Sequence, residues 1–146
     1  MENLIIKSPA KINLFLKVIK KLSNGYHELE TAFQLIDVFD TIEFQNTSNK
    51  INVSCSDVSI DEEENIVFKA AILLKKVTDR NVGANIKIIK NIPTGAGLGG
   101  GSSNAASTIC ALNKMWSLGL SKNEMMLIGL DLGADVPLFI KGENAF

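Results

Sequence analysis

The fold is decided by the stretch Pro93-Thr94-Gly95-Ala96-Gly97-Leu98-Gly99-Gly100-Gly101-Ser102-Ser103-Asn104-Ala105-Ala106. Five of the chain's eleven glycines lie between positions 95 and 101, and a helix-forming run follows them. Glycines let the backbone adopt positive φ and approach a ligand closely. A helix that begins directly after them offers free N–H groups and the positive end of its dipole, which together bind anions. The stretch therefore predicts a phosphate-binding loop. A flexible Gly/Ser linker is the alternative, but apolar segments flank the stretch on both sides.

Two common phosphate loops differ from this stretch. A Walker A loop requires Lys after its last glycine, and Gly101 stands at that position. Gly95, Gly97 and Gly100 match the dinucleotide pattern G-x-G-x-x-G in spacing alone. Pro93 separates the loop from the strand before it, and no second βαβ strand with a ribose-binding acid follows.

The composition is that of one ordinary globular domain. The 146 residues are 46% hydrophobic and 21% charged, with a net charge of −1. We therefore expect no nucleic-acid partner, and since no apolar run approaches the length of a membrane span, no membrane partner. The N-terminus lacks a signal-peptide pattern, and the isolated Cys55 and Cys110 suit a reduced protein, so we expect a cytoplasmic location.

Hydrophobic periodicity predicts an α+β domain. Alternating or short apolar runs predict strands at 4–7, 12–19, 31–36, 40–45, 51–55, 84–89 and 136–140. Helical spacing predicts helices over about 65–78 and 102–116, and a third that ends near Gly133. The apolar face of the first helix is predicted to comprise Ile66, Ala70, Leu73, Leu74 and Val77. Ser121 and Glu124 have the spacing of a capping box at the start of the third helix.

The glycine stretch resembles the nucleotide loop of the GHMP kinase superfamily, P-x-x-x-G-L-G-S-S-A-A. Residues 97–106 are most similar to the form found in kinases that phosphorylate 4-diphosphocytidyl-2-C-methyl-D-erythritol. Further family motifs occur in the same order along the chain. They are Pro9-Ala10-Lys11-Ile12-Asn13-Leu14, Asn24-Gly25-Tyr26-His27 (Asp-Gly-Tyr-His in the family), Asn65-Ile66-Val67-Phe68-Lys69-Ala70-Ala71 and Gly133-Ala134-Asp135-Val136-Pro137.

The resemblance implies a fold like ribosomal protein S5 domain 2, with a mixed sheet and helices packed on one side. It implies that residues 1–146 form the N-terminal ATP-binding domain of a two-domain kinase, because nothing here corresponds to the family's second domain. The implied activity is ATP-dependent phosphorylation of the 2-hydroxyl of 4-diphosphocytidyl-2-C-methyl-D-erythritol in the non-mevalonate isoprenoid pathway. Mg²⁺ would arrive with ATP, and no acidic cluster marks a dedicated metal site. We also expect self-association through the uncovered inter-domain face.

Candidate site residues have both ordinary and functional interpretations. Asp135 is either a cap or turn aspartate or a catalytic base, and sequence alone leaves these about even. Lys11 is by base rate an exposed lysine. The resemblance makes Asp135 the base, with Lys11 within hydrogen-bonding or ion-pair reach to keep its carboxylate ionised. Asn13 lies two residues further along the same strand face and is expected to contact the substrate or the aspartate.

The remaining candidates concern the binding of the substrate's cytidine and of ATP. Tyr26 and His27 are turn residues in the ordinary interpretation, and in the family one they hold the cytosine of the substrate. The resemblance assigns residues 93–103 to the ATP phosphates, and places Asn65 and Lys90 on the adenine side.

Two other functions stay open at this point. Another GHMP kinase, of homoserine or mevalonate type, would share the loop but lack Gly25-Tyr26-His27 and the triple glycine. A non-catalytic RNA-binding domain with the same fold would need a basic face, and 15 Lys and Arg against 16 Asp and Glu argue against one.

Overall fold

A mixed sheet covered by helices carries the glycine loop. The computed structural model describes residues 3–25 and 27–142, and within them it has four strands and four α-helices. The elements are β1 (Asn3–Lys21), β2 (His27–Thr47), β3 (Ile51–Cys55), α1 (Ile66–Thr78), β4 (Gly83–Ile89), α2 (Gly100–Met115), α3 (Lys122–Leu130) and α4 (Val136–Lys141), with a 3-10 turn at Glu62–Glu64.

The sheet has the strand order β1-β2-β4-β3. β2 pairs antiparallel with both β1 and β4, while β3 runs parallel to β4. A parallel pair needs a crossover connection, and α1 provides it between β3 and β4. Because β3 and β4 are parallel, their carboxyl ends lie side by side. The start of α1 therefore lies near the point where the chain leaves β4 for the glycine loop.

The helices cover one face of the sheet. On that face Ile42 and Phe44 of β2 and Ile86 and Ile88 of β4 are buried, while the residues between them face the other side. Fully burying a side chain of this size stabilises the fold by roughly 1.5–3 kcal/mol. The expectation of an α+β domain with helices on one side of a mixed sheet is confirmed.

Strands β1 and β2 are longer than expected. The sequence predicts breaks near residues 8–11 and 37–39, but each strand continues through its break. The register shifts there, because Pro9 is opposite Phe39 while Ala10 is opposite Ile36, so two residues of β2 form a bulge. Proline lacks a ladder N–H and is tolerated at bulges, so these breaks are bends within one hairpin.

The last predicted strand, 136–140, is wrong, because these residues form the helix α4. A short apolar run fits a strand or a buried helix equally well by periodicity. Pro137 lies in the first turn of α4, where its missing N–H costs nothing, and Gly142 ends the helix in the left-handed region. Gly133, which precedes α4, lies near the start of α2, since a Cβ on it would be 3.8 Å from Oγ of Ser102.

The boundaries of the other helices are close to the predictions. Asn65 caps α1, the strands 51–55 and 84–89 are confirmed, and the capping box of Ser121 with Glu124 is present. α2 begins at Gly100 and α3 ends at Leu130, in each case earlier than expected. The apolar face of α1 is also displaced from the prediction. Its buried residues are Val67, Ala70, Ala71 and Leu74, whereas Val77 is 55% exposed.

None of the helices in residues 3–25 and 27–142 has both the length and the apolar character that a membrane crossing requires.

Candidate functional site

The glycine loop connects β4 to α2 and opens onto the first turn of that helix. Gly95, Gly97 and Gly99 have φ values of 76°, 75° and 70°. Gly99 is the N-cap of α2, and no side chain accepts a hydrogen bond from the first N–H groups of the helix. Uncapped N–H groups at a helix start, together with the helix dipole, form an anion site.

A cavity of about 420 Å³ lies in front of this helix start. This volume is within the range of small-molecule sites. The loop forms one wall, and the end of β3 and the start of α1 form another. The described residues that line the cavity are Cys55, Ile60, Glu64, Asn65, Ile66, Ile88, Lys90, Pro93, Thr94, Gly95, Ala96, Gly97, Leu98, Gly99, Gly100, Gly101, Ser102 and Asn104.

A second depression of similar volume lies on the uncovered face of the sheet. Polar strand residues such as Asn52, Asn85 and Lys87 line it, and Asn52 hydrogen bonds to Asn85. No helix N-terminus opens into it, so the glycine-loop cavity is the better candidate for a phosphate ligand.

Lys11 lies in β1 directly beside the glycine loop. Its backbone N–H donates to the carbonyl of Leu98 at 2.9 Å. Its Cγ lies 3.2 Å from the place that a Cβ on Gly99 would occupy. Lys11 is only 6% exposed, and among the described residues no carboxylate forms an ion pair with it. A largely buried cation without an anionic partner favours the binding of an anionic ligand at this position.

Asp135 occupies the N-cap position of α4, but its side chain makes no capping hydrogen bond. It is exposed. One turn further along α4, the Phe139 ring reaches within 2.8 Å of the Cβ position at Gly99. The elements that carry Lys11 and Asp135 therefore meet at Gly99, although no ion pair or hydrogen bond joins these two described side chains.

Asn65 and Lys90 both line the cavity. The side-chain oxygen of Asn65 accepts from the backbone N–H of Val67 at 3.0 Å and so caps α1. The ammonium of Lys90 donates to Asp40 at 2.5 Å. The structure thus gives both residues a partner within the protein while it places them beside the loop.

Asp40 is a site residue that the sequence reasoning missed. It is fully buried and also accepts from the backbone N–H groups of Asn91 and Ile92 and from Nδ2 of Asn104. Burial opposes ionisation of this carboxyl, but the hydrogen bonds from Ile92, Lys90, Asn91 and Asn104 outweigh it and hold its pKa below the usual value. The signal was present in the sequence, because Asp40 alternates with Ile42 and Phe44 and so points to the core face.

Ser102 and Ser103 have different environments. Ser102 lines the cavity. Ser103 is buried, and its hydroxyl lies 2.9 Å from the hydroxyl of Ser8 in β1, which Ser107 also reaches at 3.0 Å. This chain of hydroxyls fixes α2 on β1, so the side chain of Ser103 has a structural partner and is not part of the described cavity wall.

Two of the three expected substrate residues lie in the paired strands β1 and β2. Asn13 is exposed on β1, opposite Phe33 of β2. Tyr26 lies outside the described residues. His27 begins β2 opposite Lys21, and only its backbone is described.

The sequence of residues 65–143 matches the family described as GHMP kinases N terminal domain. A relative from Acinetobacter baylyi is 49% identical over 143 residues, which are 97% of this chain and 51% of the relative. One from Haemophilus ducreyi is 45% identical and is matched over 52% of its length. Both are named 4-diphosphocytidyl-2-C-methyl-D-erythritol kinase. The chain therefore spans about half the length of these relatives.

The chain is also similar to a solved structure of a kinase with the same name as these relatives. A structure of 4-(cytidine 5'-diphospho)-2C-methyl-D-erythritol kinase superimposes with a TM-score of 0.85 at 34% identity, over 95% of this chain and 49% of that one. Homoserine kinase from Cytophaga hutchinsonii has a TM-score of 0.68 at 15% identity, over 99% of this chain and 44% of that one. The second similarity shows a shared fold alone.

Proposed function

The chain belongs to the GHMP kinases, whose N-terminal domain it matches over residues 65–143, and from this we propose that it is the ATP-binding half of a cytoplasmic 4-diphosphocytidyl-2-C-methyl-D-erythritol kinase. Such an enzyme transfers the γ-phosphoryl group of ATP to the 2-hydroxyl of its substrate. The observation that carries the proposal is the uncapped start of α2, which opens at Gly99 into a cavity lined by the glycine loop.

Loop accessibility and positive potential make the cavity suitable for a nucleoside triphosphate. Gly95 and Gly97 have no atom within 4 Å of the position a Cβ would take, so the loop backbone is accessible to a ligand. The helix start and the nearby Lys11 supply positive potential without a metal. Within the proposed phosphate segment 93–103, the backbone N–H groups of residues 94–102 would hold the phosphates, because Pro93 has no N–H and that of Ser103 donates to Gly99. Asn65 and Lys90 lie on the wall toward α1 and β4 for the base.

Mg²⁺ is proposed to enter as the ATP complex. The described part of the chain has no cluster of three or more His, Cys, Asp or Glu side chains placed to hold a metal ion. When bound, the ion would neutralise charge that develops on the phosphates. Phosphoryl transfer otherwise asks the protein mainly to position the reactants and to stabilise charge.

Asp135 is proposed as the base that accepts the proton of the substrate hydroxyl. Its carboxylate is exposed and has no capping role, so it is available to a substrate. Lys11 is proposed to stabilise negative charge between Asp135 and the phosphates, since both residues lie on elements that meet at Gly99. Tyr26 and His27 are proposed to hold the cytidine end of the substrate, and Asn13 is proposed to contact the substrate or Asp135.

The substrate assignment rests on the relatives. Those that are 45–49% identical bear the name of this kinase, whereas homoserine and mevalonate kinases share the fold at 15–23% identity. We propose that turnover also needs the half of those relatives that this chain does not match. We further propose that, without that half, the chain associates with a second copy of itself.

ATP binding can be tested at Cys55, which lines the cavity. We expect Mg·ATP to slow the reaction of Cys55 with a thiol reagent, and CDP to have little effect on it. Cys110 serves as the internal control, because burial raises the pKa of its thiol and it lies outside the described cavity wall. Equal rates for Cys55 with and without ATP would contradict the nucleotide site.

The activity can be tested in a chimera that joins this chain to the unmatched half of the Acinetobacter baylyi relative. We expect ADP release with 4-diphosphocytidyl-2-C-methyl-D-erythritol and none with homoserine or mevalonate. A chimera that is folded and phosphorylates one of the other alcohols instead would contradict the substrate assignment while leaving the nucleotide site intact.

A further inference from the structure

Asp40 holds both ends of the glycine loop with one carboxylate. Its Oδ1 accepts from the backbone N–H groups of Asn91 at 2.6 Å and Ile92 at 2.8 Å, where the chain leaves β4. Its Oδ2 accepts from Nδ2 of Asn104 at 3.0 Å, one turn into α2. The loop 93–99 lies between these two attachment points, so the carboxylate fixes the distance that the loop has to span.

The carboxylate of Asp40 also positions the side chain of Lys90 in the cavity wall. The ammonium of Lys90 donates to Oδ2 of Asp40 at 2.5 Å, and its side chain is only 14% exposed. The ammonium also lies 3.3 Å from the position of a Cβ on Gly100. Asp40 thus fixes the ammonium of Lys90 in the cavity wall, close to the first turn of α2.

Asn104 is oriented by Asp40 in a way that leaves an acceptor unused. A carboxylate can only accept, so Asn104 must turn its Nδ2 toward Asp40. Its Oδ1 is then buried and has no hydrogen-bond partner among the described residues, and Asn104, which is 3% exposed, lines the cavity. A buried acceptor without a partner costs about 1–3 kcal/mol, which a hydrogen-bond donor on a ligand in the cavity would recover.

We propose that Asp40 is a positioning residue of the nucleotide site, which orients Asn104 so that its Oδ1 accepts a hydrogen bond from a hydroxyl or amino group of the bound nucleotide. Asp40 does not touch the ligand and acts on it through Asn104. This inference rests on the proposed ATP site and adds to it a buried carboxylate that no family motif quoted above contains.

The test is a double-mutant cycle on the 146-residue chain, with the ATP dissociation constant measured by calorimetric titration. We expect Asp40→Asn to raise this constant about tenfold, because its amide presents a donor toward Asn104 and Lys90. Asn104→Ala should have a similar effect. If Asp40 acts through Asn104, the double variant should also be about tenfold weaker, whereas independent effects would multiply to about 100-fold.

A purely structural role for Asp40 would lower thermal stability without this coupling. Affinities are therefore compared at a temperature at which circular dichroism shows each variant to be folded. Asp57→Asn is the matched control, because Asp57 touches the loop only through a 3.3 Å hydrogen bond from Thr94. We expect its ATP affinity to stay within about twofold of the wild type.

The outcomes separate this inference from the proposed function. Wild-type chain that does not bind ATP overturns both. Wild-type chain that binds ATP, with multiplicative losses or unchanged affinity in the variants, overturns the role of Asp40 alone. If Asp40→Asn does not fold, Asn104→Ala leaves Asp40 its bonds from Lys90, Asn91 and Ile92, and wild-type affinity in that variant overturns the proposal.

Discussion

Replacing Gly99 by Ala should destabilise the protein through two separable costs. Gly99 has a φ of 70°, and this left-handed region costs a residue with a Cβ roughly 1–2 kcal/mol. The new Cβ would also lie 2.8 Å from Cζ of Phe139 and 3.2 Å from Cγ of Lys11. Overpacking of this kind adds about 1–3 kcal/mol. The free energy of unfolding should therefore fall by about 2–5 kcal/mol.

Gly119→Ala is the control that separates the two costs. Gly119 has a φ of 71° and no atom within 4 Å of the Cβ position, and it lies in the turn between α2 and α3. It should lose only the conformational cost, about 1–2 kcal/mol. In thermal unfolding, where about 2–4 °C corresponds to 1 kcal/mol at this size, we expect Tm to fall by about 5 °C for Gly119→Ala and by about 10 °C for Gly99→Ala.

Gly101→Ala should act in the opposite direction on stability. Gly101 has an ordinary helical φ, and its Cβ would meet only Ile66, at 3.8 Å. Replacing a helical glycine by alanine stabilises by up to about 1 kcal/mol, so Tm should rise slightly. The methyl group would nonetheless lie on the cavity wall, and ATP should bind more weakly.

Equal Tm values for Gly99→Ala and Gly119→Ala would refute the contact between the loop, Phe139 and Lys11.

Three further predictions concern the carboxylates and the hairpin. Because the folded-state pKa of Asp40 lies below its unfolded value of 3.8, the unfolding free energy should fall as pH drops through that region. Asp40→Asn should flatten this dependence in urea titrations at about pH 5 and about pH 3, and an unchanged slope would argue against an ionised Asp40. In the chimera, Asp135→Asn should lower turnover by about 10²–10⁴ in an ADP-release assay, and Lys11→Met should do the same, while Asp135→Asn leaves ATP affinity within about twofold. The chain alone should show little turnover and should self-associate through its exposed hairpin, where Leu14 and Val18 are 58% and 55% exposed. The double replacement of these two residues by Lys should shift sedimentation velocity profiles toward monomer, and profiles that do not change would place the contact elsewhere.

Local features of this protein could be predicted from the sequence because they depend on neighbours along the chain. The glycine loop, the capping box of Ser121 and the start of α1 near residue 65 each involve residues within a few positions of one another. The order of motifs likewise identified the family without any knowledge of distances. Apolar runs likewise predicted strands at 40–45 and 84–89, which lie within β2 and β4.

Contacts between segments that are far apart in the sequence were decided only by the tertiary structure. The short apolar run 136–140 became a helix because α4 packs on α2 and α3, and periodicity alone could not choose between helix and strand. Strands β1 and β2 continued through Pro9 because the partner strand absorbed the irregularity in a bulge. Hydrophobic periodicity decided neither outcome.

The network of Asp40 shows the same division most clearly. The sequence places a carboxylate on the buried face of a strand, and physical chemistry requires that such a charge be paired. Its partners, Lys90, Asn91, Ile92 and Asn104, follow 50 to 64 residues later. Only the folded chain brings these donors to one carboxylate, because a hydrogen bond requires the two atoms to be about 3 Å apart. The sequence pattern does not show which distant residues will be that close. The sequence alone could therefore reveal the need for partners, while the tertiary structure decided which residues met it.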